Sequence, residues 1–407
     1  MTDWIEAAEA AQRLGIKQAS LYSYVSRGVL TRRKAGDGRT SLFHAAEVEG
    51  LARRGRPRRG PAVTELVIET ELTEITGDQL RYRGLDATVL AARRSFEDVA
   101  GLLWTGSLGE PVPGAAWQAT AAAIAAGIGA QAALPAGTLP LERLQVIVPA
   151  MAATDPLRLH LEPSAVIAAA RCLISGMVDC LPAASAQGGP TGGTIAERLA
   201  PRLCLAPLAP ALTAALRAAL VLLVDHELAA STLAARVAAS VRADPYAVVA
   251  TGLGALGGSL HGGASLGAEV MLASASRPSD AARVVGDLLR RGERIPGFGH
   301  FVYQAGDPRA VLLLEILRQS APGSERLAVA EAVLAEVRRR ALPEPNIEFA
   351  LAALAAVAGM IPGAGEAIFA VARAAGWLAH ALEEYARNMP IRPRGVYTGP
   401  AAEIPAR

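Results

Sequence analysis

Sulfur, aromatic surface and charge are all scarce in this chain of 407 residues. Cysteine occurs three times, at Cys172, Cys180 and Cys204, with no metal-ligand spacing. That argues against a zinc site or a disulfide scaffold, and the three read as buried thiols. Aromatic residues make up 4% and charged residues 19%, against 52% hydrophobic, which excludes a disordered chain and leaves material for a large core. Alternating β-branched runs are few while alanine and leucine abound, which predicts a mainly helical protein. The start, M-T-D-W-I-E-A-A-E-A, has no basic segment followed by an apolar run, so no secretory leader is expected and the cytoplasm is the default location. The apolar stretch 349–365 is interrupted by Gly359, Pro362 and Gly363, and reads as a buried helix and turn rather than a membrane span. The Ala-rich stretch 118–133 gets the same reading.

At this length the chain should divide into two or three domains. Charge marks the first division. Residues 1–60 hold 12 Lys/Arg against 6 Asp/Glu, although the whole chain has a net charge of only +2. Within them, Ala7, Ala8, Ala11 and Leu14 make an apolar helical face that ends at Gly15. Ser20, Leu21, Tyr22 and Val25 open a second helix that stops at Gly28. L-T-R-R-K-A-G-D-G-R-T-S-L-F follows as a two-stranded wing turning at A-G-D-G, and a third helix runs from His44 to Arg54. This is the layout of a winged helix-turn-helix, expected over residues 1–55. Residues 56–62 then form a basic Pro/Gly linker. The pattern E-A-A-x-x-L-G-I…L-Y-x-Y-x-x-R-G-x-L resembles the DNA-binding domain of the MerR family. That resemblance implies groove-facing positions at Gln18, Ser20 and Tyr24, and phosphate contacts from Arg32, Arg33, Lys34 and Arg39. The alternative is a solvated basic surface that serves assembly.

Beyond the linker, V-I-E-T-E-L-T-E-I-T-G-D-Q-L-R-Y-R-G-L-D alternates briefly, turns at Gly77-Asp78 and enters a helical series from Ala87. One later helix is expected from about Ala211 to His226. The chemistry-bearing residues concentrate in the C-terminal half. His261 and His300 each border glycines that let backbone approach a small ligand, in L-H-G-G-A and G-F-G-H-F-V-Y-Q-A-G-D-P-R-A. Arg309 follows a turn made by Asp307 and Pro308, and Glu348 stands in P-N-I-E-F. No second histidine lies four residues from His226, so zinc is not expected there. His44, His160 and His380 read as structural.

Several ordered blocks resemble the citrate synthase family. They are L-R-Y-R-G-L-D…S-F-E-D-V-A-G-L-L-W-T-G, D-H-E-L-A-A-S-T-L-A-A-R-V with G-x-G-A-L-G-G-S-L-H-G-G-A, the His300 block, and P-N-I-E-F…F-A-V-A-R-A-A-G-W-L-A-H-A-L-E…I-R-P-R-G-V-Y-T-G. Together they span about residues 65–400. The resemblance implies an all-helical fold with a large domain at 63–267 and 366–407, a small domain at 268–365, and hinges near Gly267 and Gly363. It implies condensation of acetyl-coenzyme A with oxaloacetate, without a permanently bound cofactor, in a homodimer. By the same resemblance Glu348 is the base, His261 faces the thioester carbonyl and His300 the keto carbonyl. His226, Arg309, Arg373 and Arg392 hold oxaloacetate, Arg392 reaching across to the partner subunit. Arg294, Arg387 and Arg394 are candidates for the coenzyme. A 2-methylcitrate synthase, or a DNA-binding sensor of the same ligands, would carry the same residues.

Two departures stand out. The family has aspartate where this chain has Glu348, a carboxylate moved outward by roughly 1 Å, enough to alter rate when reacting groups must align. Three accounts are open: a compensating backbone shift that keeps full activity, a slow enzyme, or a site that has become a sensor. The first is favoured, because both histidines and every arginine are kept. Phe301 and Gln304 replace basic residues of many bacterial relatives, which predicts weaker coenzyme binding or a different acyl group.

Overall fold

The computed structural model describes residues 4–14, 18, 21, 24–25, 30–35, 40–49, 67–109, 117–185, 192–303 and 306–399. They fall into two units, Met1–Ile68 with Pro393–Arg407, and Glu69–Arg392. The 56–62 linker, the G-G-P-T stretch at 188–191, Ser20, Arg39 and Gln304 lie outside the described residues.

In the first unit, β1 (Trp4–Glu6) leads into α1 (Ala7–Leu14), and β2 (Arg32–Lys34) pairs antiparallel with β3 (Ser41–His44). Two strands are therefore paired where the sequence predicts them, the A-G-D-G turn lies outside the described residues, and β1 adds a third strand in the order β1-β3-β2. Three residues were too short a run to register as a strand. His44 pairs with Trp4 and closes β3, so the following helix starts at Ala45 rather than at His44. Ala10 and Ala11 enter the small core with Ile5, Leu21, Leu30, Phe43 and Val48, whereas Ala8 faces solvent. Arg32, Arg33 and Lys34 are exposed, and the Arg33 guanidinium lies 4.3 Å over the Trp4 ring.

The second unit begins with a hairpin, β4 (Thr73–Thr76) and β5 (Gln79–Tyr82), turning at Gly77 with φ 59° as the sequence predicts, and a short β6 (Leu85–Asp86). Helices follow. Asp86 caps α2 (Ala87–Arg93) by accepting from the backbone of Thr88 and Val89, and Ser95 and Asp98 form a capping box on α3 (Phe96–Thr105). The Ala-rich stretch becomes a helix over Ala121–Ala130, but only Ala123 and Gly127 are buried, so it lies on the surface of the core rather than within it. Alanine is a strong helix former with little apolar area, which explains both outcomes. Among the described residues no helix is long and apolar enough to cross a membrane. Cys180 and Cys204 are buried as expected, whereas Cys172 is only half-buried.

The organising element is α16 (Ala364–Arg387), preceded by α4 at the Ala121–Ala130 stretch and by α5 (Pro140–Ala152), α6 (Pro163–Asp179), α7 (Ile195–Leu203), α8 (Pro210–Leu223), α9 (Ala230–Ser240), α10 (Pro245–Leu256), α11 (Gly263–Ala273), α12 (Ala281–Arg290), α13 (Pro308–Ser320), α14 (Glu325–Arg339) and α15 (Ile347–Val357). Nearly every residue of α16 up to Ala381 is buried. Small residues let its neighbours come close: a Cβ on Gly252 of α10 would stand 2.6 Å from the Trp377 ring. Trp377 is fully buried there, and truncating such a side chain costs about 3–5 kcal/mol. Helix α8 ends at Leu223, three residues before the expected His226. The reason is tertiary: the carbonyls of Leu222 and Asp225 accept from the Tyr82 hydroxyl and that of Leu223 from Arg373, while Glu227 adopts φ 54°. The chain thus leaves the helix and turns His226 into a cavity.

Candidate active site

A cavity of ≈ 590 Å³ in the second unit collects residues from well-separated stretches of the chain. His226, His261, His300, Arg309, Glu348 and Arg373 all line it, together with Arg294. Of the other arginines expected here, Arg387 donates to the Glu69 carbonyl and Arg392 is exposed, and neither lines the cavity of this single chain; Arg394 is exposed and belongs to the first unit.

Each imidazole is held neutral. Burial, with Arg309 and Arg373 nearby, pushes His226 well below the usual histidine range, and its Nε2 lies 3.0 Å from the Tyr303 hydroxyl. Burial and Arg373 bring His261 down to about 4. Its approach depends on Gly262, where a Cβ would stand 2.6 Å from the Leu256 carbonyl oxygen. Burial and Arg309 also lower His300, and the loop fixes its tautomer. Nδ1 accepts from the backbone N–H of Val302 at 3.0 Å and of Tyr303 at 3.3 Å, so the ring proton sits on Nε2. Nε2 stands 3.4 Å from Nη2 of Arg309, a group that can only donate, and its own N–H is therefore available to a ligand.

The charged groups are fastened from behind. Arg309, 2% exposed, is gripped in a fork by Asp307 at 2.9 and 2.8 Å. Asp307 also caps α13 through Arg309 N–H and accepts from Ile347 N–H at 3.0 Å, so one carboxylate ties the clamp to the helix that bears Glu348. Asn346 caps that helix, accepting from Glu348 and Phe349 N–H, and its amide donates to the Gly299 carbonyl at 2.9 Å, which joins the Glu348 helix to the His300 loop. Arg373 donates from Nε to the Leu223 carbonyl at 2.8 Å, while both its terminal nitrogens are buried without a hydrogen-bond partner among the described residues. Glu348 Oε2 is likewise buried and has no partner among the described residues, and burial raises its carboxyl against the opposing pull of Arg309.

Three supports carry no functional mark in the sequence. Asp307 reads there as a turn residue and Asn346 as part of P-N-I-E-F. Ser231 is one residue of a helical run, yet its Oγ lies 2.7 Å from His261 Nε2. If the hydroxyl donates to Nε2, the imidazole proton is left on Nδ1. Ser231→Ala should therefore lower kcat about fivefold to tenfold, the worth of one buried hydrogen bond, with the KM for oxaloacetate unchanged. Steady-state kinetics checks this.

Residues 63–394 match the family described as citrate synthase, C-terminal domain. The chain belongs to the citrate synthase family. Within it, the chain is 30% identical over 350 residues to the 2-methylcitrate synthase of Mycobacterium tuberculosis, covering 79% of this chain and 85% of that one. It is 40% identical over 189 residues to citrate synthase 2 of Bacillus subtilis, covering 45% of this chain and 50% of that one. Among solved structures it resembles the citrate synthase of Thermoplasma acidophilum in ternary complex with carboxymethyl coenzyme A and oxaloacetate. There the TM-score is 0.72 and the identity 25%, over 84% of this chain and 97% of that chain. The mainly helical citrate synthase fold and an acyltransferase activity of citrate synthase type follow, with acetyl-coenzyme A as a substrate rather than a resident cofactor.

Proposed function

We propose that this cavity condenses acetyl-coenzyme A with oxaloacetate and hydrolyses the citryl thioester to citrate and coenzyme A. The observation that carries the reading is the pair of buried, unpartnered groups facing one space: the terminal nitrogens of Arg373 and Oε2 of Glu348. A guanidinium left open beside a second, Arg309, is suited to a small dicarboxylate. Glu348 takes a proton from the acetyl methyl, and His261 donates to the thioester oxygen as charge develops on it. The enol carbon then attacks the keto carbon of oxaloacetate, whose oxygen takes the proton of His300 Nε2–H to become the hydroxyl of citryl-coenzyme A, and the proton held by Glu348 restores the imidazole by way of solvent. His226 and the two arginines hold the dianion in place. Water next cleaves the carbon–sulfur bond of citryl-coenzyme A. Both substrates are intracellular metabolites, which supports a cytoplasmic location.

The test is free-thiol release from acetyl-coenzyme A with and without oxaloacetate, on the full chain. Release that depends on oxaloacetate, near roughly 1 s⁻¹ or faster, supports the reading; binding of oxaloacetate without release counts against it. Likeness to a 2-methylcitrate synthase favours propionyl-coenzyme A as the second donor to try, since one methylene is worth only about 1–3 kcal/mol of discrimination.

The coenzyme is proposed to enter beside Phe301. This side chain is fully exposed and lines both the site and a neighbouring cavity of ≈ 510 Å³, walled by Leu289, Ile295, Phe298, Leu342 and Pro343, with Arg294 shared between them. With no cation at 301, coenzyme affinity should rise two- to fivefold in Phe301→Arg, and the gain should fade with salt, as an exposed ion pair contributes about 0.2–1 kcal/mol. Titration at two ionic strengths decides it. The family's homodimer is also proposed, with Arg392 completing the partner's oxaloacetate site and Arg387 and Arg394 near the coenzyme. So is its division into a large domain, 63–267 and 366–407, and a small one, 268–365. Light scattering, and loss of oxaloacetate affinity in Arg392→Ala, would test the dimer.

The N-terminal unit is proposed to be a winged helix-turn-helix. Support comes from the β2–β3 ribbon with exposed Arg32, Arg33 and Lys34, and from Gln18, exposed, and Tyr24 on helical backbone. Binding of a DNA duplex that responds to oxaloacetate would make the protein a metabolite sensor as well. Linkage then requires DNA to change oxaloacetate affinity by the same factor.

A further inference from the structure

Behind the cavity runs a chain of buried polar side chains that the proposed reaction does not use. On α16, Phe369, Arg373, Gly376, His380 and Glu384 recur every three or four residues and share one face. Phe369 and Arg373 line the cavity, and Gly376 brings the helix onto the segment ahead of His226. A Cβ there would lie 2.2 Å from the Val224 carbonyl oxygen and 2.8 Å from Asp225 Oδ1. One turn further, the fully buried His380 places Nε2 3.2 Å from both carboxylate oxygens of Asp225. Its Nδ1 meets Nη1 of Arg236, a fully buried guanidinium that Glu383 and Glu384 hold, each at 2.6 Å. Arginine can only donate, so Nδ1 accepts, and the single ring proton is left on Nε2, directed at Asp225. Thr73 donates a second hydrogen bond to Asp225 Oδ2 at 2.5 Å.

We propose that Arg236, His380 and Asp225 form a positioning relay that fixes where His226 and Arg373 stand in the oxaloacetate site. Asp225 immediately precedes His226, and its carbonyl accepts from the Tyr82 hydroxyl at 3.1 Å. Arg373 anchors to Leu223, two residues earlier, so a shift of Asp225 moves both ligand groups together. The Asp225 charge also opposes the burial that lowers Arg373 to about 10, and so helps keep the guanidinium ionised. His380, structural by the sequence reading, becomes a donor whose tautomer is imposed from the far side by Arg236. The inference rests on the reading of the cavity as the oxaloacetate site.

The experiment uses the full chain and four proteins: wild type, Thr73→Val, His380→Leu and His380→Gln. It reads oxaloacetate affinity by calorimetry, oxaloacetate and acyl-coenzyme A KM by thiol release, and thermal midpoint. Thr73→Val and His380→Leu should each weaken oxaloacetate about tenfold, the worth of a hydrogen bond to a buried charge, with the acyl-coenzyme A KM unchanged. His380→Gln, which keeps an N–H near the Nε2 position, should recover most of that loss. Midpoints that fall without any change in oxaloacetate affinity would reduce these residues to structural ones and overturn the relay. So would His380→Gln behaving like His380→Leu. Thr73→Val removes one hydroxyl and keeps the side-chain shape, so it decides the matter even where the histidine variants fail to fold. A wild type that neither binds nor turns over oxaloacetate would instead sink the functional reading, and the relay with it.

Discussion

Replacement of Glu348 by glutamine lowers oxaloacetate-dependent thiol release by about 10²- to 10⁴-fold, the range that a positioned general base contributes. The same change should stabilise the fold at alkaline pH. Burial raises the Glu348 carboxyl in the folded protein, so with rising pH the unfolded chain releases this proton first. Stability from the protonated group is present in full below the unfolded value and is lost as pH rises through the folded one. Glu348→Gln should therefore melt above wild type near pH 8, and the difference should shrink towards pH 4. Thermal melts across that range check the sign. Glu348→Asp separates placement from chemistry. Asn346 holds the first turn of α15 against the His300 loop, which fixes the backbone from which the carboxylate reaches, and the aspartate, one methylene shorter, should leave turnover equal or lower. A large gain in turnover would show the glutamate to be misplaced.

Arg309→Leu carries the second large effect, and it has two separable parts. One is loss of a buried guanidinium from the dicarboxylate clamp, which should weaken oxaloacetate by about 2–5 kcal/mol, more than one power of ten in KM. The other is structural. Asp307 remains buried with its fork partner gone, and breaking such a pair destabilises by about 3–5 kcal/mol. Chemical denaturation reads the second part and kinetics the first. Asp307→Asn in the Arg309→Leu background removes the orphaned charge, so it should restore much of the stability and none of the oxaloacetate affinity. Restored affinity would show that Arg309 acts only as the counter-ion of Asp307.

Much of the site could be read from the chain because its residues sit in ordered runs with turn chemistry attached. Gly299 before His300 and Gly262 after His261 flagged close backbone approach, and Asp307-Pro308 flagged a helix start bearing Arg309. The supports could not be read in the same way. Asp307 has the sequence signature of an ordinary N-cap, and only in three dimensions does its other oxygen reach Ile347, forty residues on. Ser231 is one small residue in a helical run, and its partner His261 is thirty residues away. Nothing in the sequence ends α8 at Leu223, because apolar residues continue to Val224. The carbonyls that Tyr82 and Arg373 capture belong to no local pattern.

By itself the sequence determined the helical class, the basic N-terminal segment and the hairpin turning at Gly77, which follow from local periodicity and turn preference, properties of short stretches. Its resemblance to the citrate synthase family implied the six residues that line one cavity, His226, His261, His300, Arg309, Glu348 and Arg373. Tertiary structure decided which protons the imidazoles keep, which carboxylate stands behind which guanidinium, and which polar atoms are left open to a substrate. Those depend on burial and on partners brought together across the chain, because desolvation and hydrogen bonding act between neighbours in space.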